Sequence, residues 1–278
     1  MSTTMAQPQR YRPTPMRLMR SELRKLTSLR STWALSIVAG LLYLLIAFFV
    51  AQSAKDVSES FPETSRLEMF GSSYMVTNLF QLLLLFGISF GTMVMTSEYS
   101  HNTIQTSLLA SRSRLAFFGS KLAVLAVFWA AVTGVILILA VLLIQGVLSG
   151  SIISLPLDDA TFWLSVLICV LVLVMGAVMS AALGAVMRST VGTITTMFGL
   201  VLILPIIELI PLDFIENLRP YFPINVMTAA IAPRDGDVDP VSIMSSDSLD
   251  PNVALGVLAI YTVIFIVLGA ISIKRRDA

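Results

Sequence analysis

Six long apolar stretches, 33–51, 74–96, 115–144, 162–187, 191–209 and 253–273, dominate the chain, and each is at least nineteen residues long. A helix rises about 1.5 Å per residue, so roughly twenty residues cross a hydrocarbon core about 30 Å thick. Backbone groups in lipid have no water to bond, which leaves helices as the form such runs take. The alternating pattern of a membrane barrel is absent. Composition agrees: 56% of the residues are hydrophobic and 13% charged, against about 25% charged in an ordinary soluble domain. The expected fold class is an all-α integral membrane protein with six transmembrane helices. Some thirty residues precede the first stretch, which is longer than a signal-peptide core, so cleavage after Ala54 is not expected.

Charge sets the expected orientation. The side that holds the N-terminus carries fourteen basic and three acidic residues, a net +11, and the other side four basic and fourteen acidic, a net −10. Lys and Arg collect in cytoplasmic loops. The chain is therefore read as a multi-pass protein of the cell membrane with both termini in the cytoplasm.

Residues 1–15 are polar and contain Pro8, Pro13 and Pro15, and read as a disordered lead-in to a single membrane domain over 16–278. Within 16–30, Met16, Met19, Leu23 and Leu26 recur at the spacing of one helix face, with Arg17, Arg20 and Arg24 in parallel. This pattern predicts an amphipathic interfacial helix whose arginines meet lipid phosphate. Between the last two spans, 213–232 is apolar but broken by Pro220 and Pro223. It is too short to cross, and reads as a helical pair dipping into the outer leaflet or as an extracellular cap. Residues 233–251 read as a solvated loop. Gly87 and Gly91 form one small-residue pair and Gly176, Ser180 and Gly184 a longer ladder; both favour close helix packing.

Most membrane chemistries lack their residues here. Stretches 74–96, 162–187, 191–207 and 253–273 contain no ionisable Asp, Glu, Lys, Arg or His, whereas coupled carriers keep such groups at mid-membrane. Lys121 stands near the start of the third span and is expected to snorkel to the cytoplasmic surface. His101 is the only histidine and Cys169 the only cysteine, so no His-based triad or zinc motif can be assembled. Nor does a phosphate loop occur, since Arg114 stands where its first glycine would be. No catalytic residue, metal ligand, cofactor or nucleic-acid partner is expected in this chain. Asn78 and Gln81, three apart, put polar groups on one face of the second span; they line a candidate translocation path or make an interhelical hydrogen bond.

The turn between the second and third spans runs from Ser97 to Arg114 and carries Glu98, Thr103, Ile104, Leu108, Leu109, Arg112 and Arg114, with Lys121 beyond. Ile104, Leu108 and Leu109 give it a short apolar face suited to a groove in a partner. This stretch resembles the second cytoplasmic turn of ABC-2 type permeases, the membrane subunits of many bacterial ABC exporters. Those read Glu, then Gly-Thr-Ile/Leu, a Leu-rich turn, Pro-x-Ser-Arg, and a Lys seven residues on. Glu98, Thr103, Ile104, Leu108, Ser113, Arg114 and Lys121 fit that register, while Asn102 replaces the Gly and Ser111 the Pro. The interfacial helix, the six spans and the terminal Lys274-Arg275-Arg276-Asp277 also resemble the family.

The resemblance implies a permease that pairs with a second permease subunit and engages a separate ABC ATPase subunit, which would bind ATP and Mg. Glu98 to Arg114 would be the contact with that ATPase. A charge-poor interior favours an amphipathic or lipid-like cargo, such as a drug, lipid or peptide. Two alternatives stay open on the residues alone: a self-sufficient channel or secondary carrier, and a non-transporting scaffold or sensor subunit.

Overall fold

The computed structural model describes residues 15–58, 73–100, 113–151, 154–208, 213–232 and 249–275. Among these, helices are the regular structure, and six of them are long and apolar enough to cross a membrane. The protein is a multi-pass membrane protein. Residues 1–14 of the expected lead-in 1–15, and 233–248 of the expected loop 233–251, lie outside the described residues.

Helix α1 (Pro15–Ser28) opens on proline, whose fixed φ suits a first turn and whose missing N–H is no loss there. It ends where Thr27 and Ser28 turn their hydroxyls back onto the Leu23 and Lys25 carbonyls, at 3.0 and 2.9 Å. The indole N–H of Trp33 donates to the Thr27 carbonyl at 2.8 Å and clamps the corner into α2 (Arg30–Ser58). Helix α2 outlasts its apolar stretch because Ala51 and Ala54 stay packed and Lys55 donates to the Val147 carbonyl at 3.4 Å.

The second span is not continuous. A single turn, α3 (Tyr74–Thr77), is separated from α4 (Phe80–Ser100) by a break at Asn78 and Leu79. Helix α5 (Arg114–Leu148) is capped by the Ser113 hydroxyl, which accepts from the Ala116 amide at 3.1 Å. Its 35 residues reach about 52 Å, well beyond a hydrocarbon core. Helix α6 (Ala160–Met187) is capped by Asp159, whose carboxylate accepts from the Thr161 amide. At its far end Arg188 takes a left-handed backbone, φ 54°, and the chain reverses at once into the fifth span.

That span consists of α7 (Thr190–Phe198), a π-helical segment (Gly199–Ile203) and α8 (Leu204–Ile207). Proline at 205 lacks an amide hydrogen and its ring crowds the carbonyl one turn earlier. Widening the preceding turn to a π bulge relieves that crowding. Next come α9 (Asp213–Leu218), a 3₁₀ turn (Arg219–Tyr221) and α10 (Pro223–Ile231). Val226, Met227 and Ala230 of α10 are fully enclosed against α6 and the last helix, α11 (Pro251–Arg275). The segment is thus folded into the bundle and does not cross it.

Helices α4 and α6 form the centre, and 67% of the most apolar window of α6 is buried against 17% for the fifth span. Their seam is made by the small residues. A Cβ at Gly91 would collide with the Ala177 carbonyl and the Ser180 hydroxyl, and one at Gly176 with Leu84. Ser180 Oγ lies 2.9 Å from the Ile88 carbonyl across the seam. Both small-residue patterns therefore pack one helix of the chain against another. Gly87 does the same against the Trp129 ring of α5.

Candidate functional site

One end of the bundle gathers α1, the end of α4, the start of α5, the turn after α6 and the end of α11. Contacts fix this grouping: the Thr96 and Thr190 hydroxyls are 2.7 Å apart, Arg188 lies 5.3 Å over the Tyr99 ring, and Ser272 donates to the Ala185 carbonyl at 3.2 Å. The same end holds four charged side chains in mutual contact. Lys121 Nζ is 2.9 Å from Glu98 Oε1 and 3.1 Å from Glu22 Oε2, and Lys25 Nζ is 2.7 Å from Glu22 Oε1 and 3.3 Å from Glu98 Oε1.

Each helix contributes by its phase. Helix α1 presents Met19, Glu22 and Leu26 inward, with Lys25 at the edge. Glu98 comes from the last turn of α4 and Lys121 from the second turn of α5. The ammonium of Lys121 has three hydrogens, and three acceptors surround it: the two carboxylates and the Val94 carbonyl at 3.3 Å. The Phe117 ring lies 5.4 Å away and adds its negative face. Two acids and two bases sum to zero, the condition under which buried charge is tolerated.

Lys121 therefore does not snorkel. Its side chain is 6% exposed and turned inward, because two carboxylates within reach outweigh the gain from reaching water. Helix α1, expected from sequence to lie at the interface, likewise sits in a phase different from that of its apolar stripe. Met16 and Leu23 are exposed, at 75% and 42%, because pairing Glu22 with Lys121 rotates that acid toward the bundle. Arg17, Arg20 and Arg24 are exposed on the opposite side of α1.

Burial raises the Glu22 pKa, but the charge of Lys121 and the hydrogen bond and charge of Lys25 outweigh it and hold the carboxyl below its ordinary value. For Lys25, burial lowers the pKa, and the Glu22 hydrogen bond with the Glu22 and Glu98 charges raises it above the ordinary value overall. Both groups carry their charge at neutral pH.

The other sequence candidates divide. Arg114 donates to the Ile273 carbonyl at 3.4 Å and so ties the start of α5 to the last turn of α11, where a cation also meets the negative end of the helix dipole. Thr103, Ile104, Leu108, Leu109 and Arg112 lie outside the described residues. Asn78 and Gln81 do not share a face. The break at 78–79 turns Asn78 toward a void of about 30 Å³ beside Thr228 and Ile231, and leaves Gln81 exposed. The Asn78 amide oxygen has no protein partner there, and the void is large enough for one water.

Glu22 and Lys25 were not singled out by sequence reasoning. A signal existed: Glu22 is the only acid before Asp56 and stands among arginines and a lysine. An acid so placed on a strongly basic side has nearby charges to pair with.

At the opposite end, Glu208 accepts from Arg219 at 3.1 Å and from Asn225 at 2.6 Å, and Tyr261 donates to the Tyr221 carbonyl at 2.8 Å. These contacts tie the 3₁₀ turn and α10 to the end of α8 and to α11. Among the described residues no three His, Cys, Asp or Glu side chains are grouped to hold a metal ion.

Comparison with curated proteins finds no match. Residues 37–278 match a family described as protein of unknown function DUF2705, which leaves α1 as the described helix outside the matched segment. With nearly the whole of its membrane bundle inside that match, the chain belongs to the DUF2705 family.

Proposed function

We propose that the chain is the membrane subunit of an ATP-driven exporter of the ABC-2 type, set in the cell membrane with both termini cytoplasmic. Residues 98–114 are its contact with a separate ATPase subunit, which supplies ATP and Mg chemistry. Two permease subunits pair, and the cargo is amphipathic or lipid-like. The charge asymmetry of the loops and the resemblance of Glu98 to Lys121 support this reading.

The observation that carries it is the four-charge cluster. Glu98 and Lys121 flank the segment 101–112 in sequence and meet each other at 2.9 Å. Both also hold α1 through Glu22 and Lys25. A displacement imposed on that segment is thereby handed to three helices at once, instead of being absorbed by one flexible end. Close ionic contacts in low dielectric resist separation far more than exposed pairs do. Gln81, exposed on the single chain, lines a path only if that path runs between two copies.

The test is a co-purification. Ile104→Asp with Leu108→Asp should abolish recovery of an ATPase with the tagged chain and abolish export, while membrane insertion is unchanged. Apolar anchors of this kind contribute about 1–3 kcal/mol each. A double variant that still holds its partner and still exports would remove the coupling role. Ion or solute flux through the reconstituted chain alone, without ATP, would favour a channel.

A further inference from the structure

Beside the charge cluster lies an apolar cleft of about 720 Å³, bounded by α1, the start of α2 and the half of α4 that ends at Glu98. Leu26, Leu35, Phe90, Met93 and Val94 line its walls, and the charged cluster closes its inner end. The volume falls within the roughly 300–1,000 Å³ typical of ligand pockets. The cleft opens sideways: Leu29 and Met93, both on its lining, are 49% and 39% exposed.

On the outer side of α1 runs a second concavity, of about 560 Å³, lined by Arg17, Arg20, Ser21, Arg24, Lys25 and Ser28. Lys25 and Ser28 line both spaces. They stand on one edge of the helix, three residues apart, so the basic groove continues over that edge into the apolar cleft. No acid interrupts the groove, because Glu22, the acid of α1, is turned into the bundle. The Lys25 side chain is 50% exposed, and its ammonium stands at the junction.

We propose that this continuous surface seats one anionic phospholipid. Its phosphate lies on Arg20, Arg24 and Lys25, and one acyl chain enters the cleft between α1, α2 and α4. The two halves match the two halves of such a molecule: a cationic groove at headgroup level, and an apolar slot open to the bilayer. A soluble phosphate would leave the slot unfilled, and a zwitterionic lipid would bring its own cation against the arginines. The seat requires only that the chain spans a membrane, and stands whether or not the chain is an exporter subunit.

The experiment is native mass spectrometry of the full chain, with any co-purifying subunit, released from micelles containing phosphatidylglycerol or phosphatidylcholine. One phosphatidylglycerol should be retained at least tenfold more tightly than phosphatidylcholine. Arg20→Gln with Arg24→Gln, both at exposed positions, should erase that preference. Met93→Trp, which fills the slot and leaves the arginines in place, should also lose the retained lipid. Inorganic phosphate at millimolar concentration should not displace it. Equal retention of the two lipids, full retention in Met93→Trp, or displacement by phosphate alone would each overturn the proposal. An unchanged melting temperature in both variants separates loss of the seat from loss of the fold.

Discussion

Lys121 Nζ lies 2.9 Å from Glu98 Oε1, and this contact joins the end of one spanning helix to the start of the next. Removing its cation leaves Glu22 and Glu98 buried with Lys25 as the remaining base of the cluster. Lys121→Met should destabilise the detergent-solubilised protein by about 3–5 kcal/mol, since an uncompensated buried charge costs more than the pair contributes. Adding Glu22→Gln should recover part of that loss. Thermal unfolding of the three variants checks both statements, and equal melting of wild type and Lys121→Met would contradict them.

The docking of α1 should be flat with pH between two limits. Glu22 has a folded pKa below its ordinary 4.5. Its contribution is therefore complete above that value and is lost as pH falls through the lower folded one. Lys25 has a folded pKa above its ordinary 10.5, so its contribution is complete below that value and is lost as pH rises past the folded one. Hydrogen-exchange protection of the α1 amides, corrected for intrinsic rates, should hold steady from pH 5 to about 10 and drop outside that window. A transition centred near pH 6 would show that another group controls docking.

The α4–α6 seam should be intolerant of a single methyl group. Gly91→Ala drives a Cβ into the Ala177 carbonyl, and backbone does not step aside as a side-chain tip does. A loss of about 1–3 kcal/mol or more is expected, as for other overpacked cores. Gly134→Ala on α5 is the control, because nothing lies within 4 Å of its added carbon. That change should be neutral or stabilising by up to about 1 kcal/mol. Melting temperatures in detergent measure both.

Orientation is open to labelling. Cysteines introduced by Ser60→Cys and Ser246→Cys should react with an impermeant maleimide in intact cells, and one introduced by Ser111→Cys should react only after lysis. The native Cys169 is buried and supplies little background. Labelling at position 111 alone in intact cells would invert the topology.

The spans were legible because a length of apolar chain leaves helix as its one form in lipid. Their ends were less so. Helix α2 runs on through Gln52, Ser53, Lys55 and Asp56, since packing at Ala51 and Ala54 continues past the point where hydrophobicity stops. The break at Asn78 has no proline or glycine beside it, and the stretch 74–96 reads as one helix. Glu98, Arg114 and Lys121 stood out through the resemblance of their turn to a known family, but their partners could not be read from it. Pairing depends on how α1 is rotated, and its periodicity favoured Met16 and Leu23 where the ion pairs favour Glu22. One charged contact in a dry place outweighs the exposure of two apolar side chains that lipid can cover.

The π segment at Gly199–Ile203 adds one residue to a turn, and one residue is about 100° of rotation. Everything beyond it is therefore dialled by that angle relative to a regular helix. Glu208 reaches Arg219 and Asn225 only at the present setting. Deleting one residue between 199 and 203 would give a smoother helix that points Glu208 elsewhere. The irregularity works as a fixed angular offset, setting which way the far end of the fifth span faces.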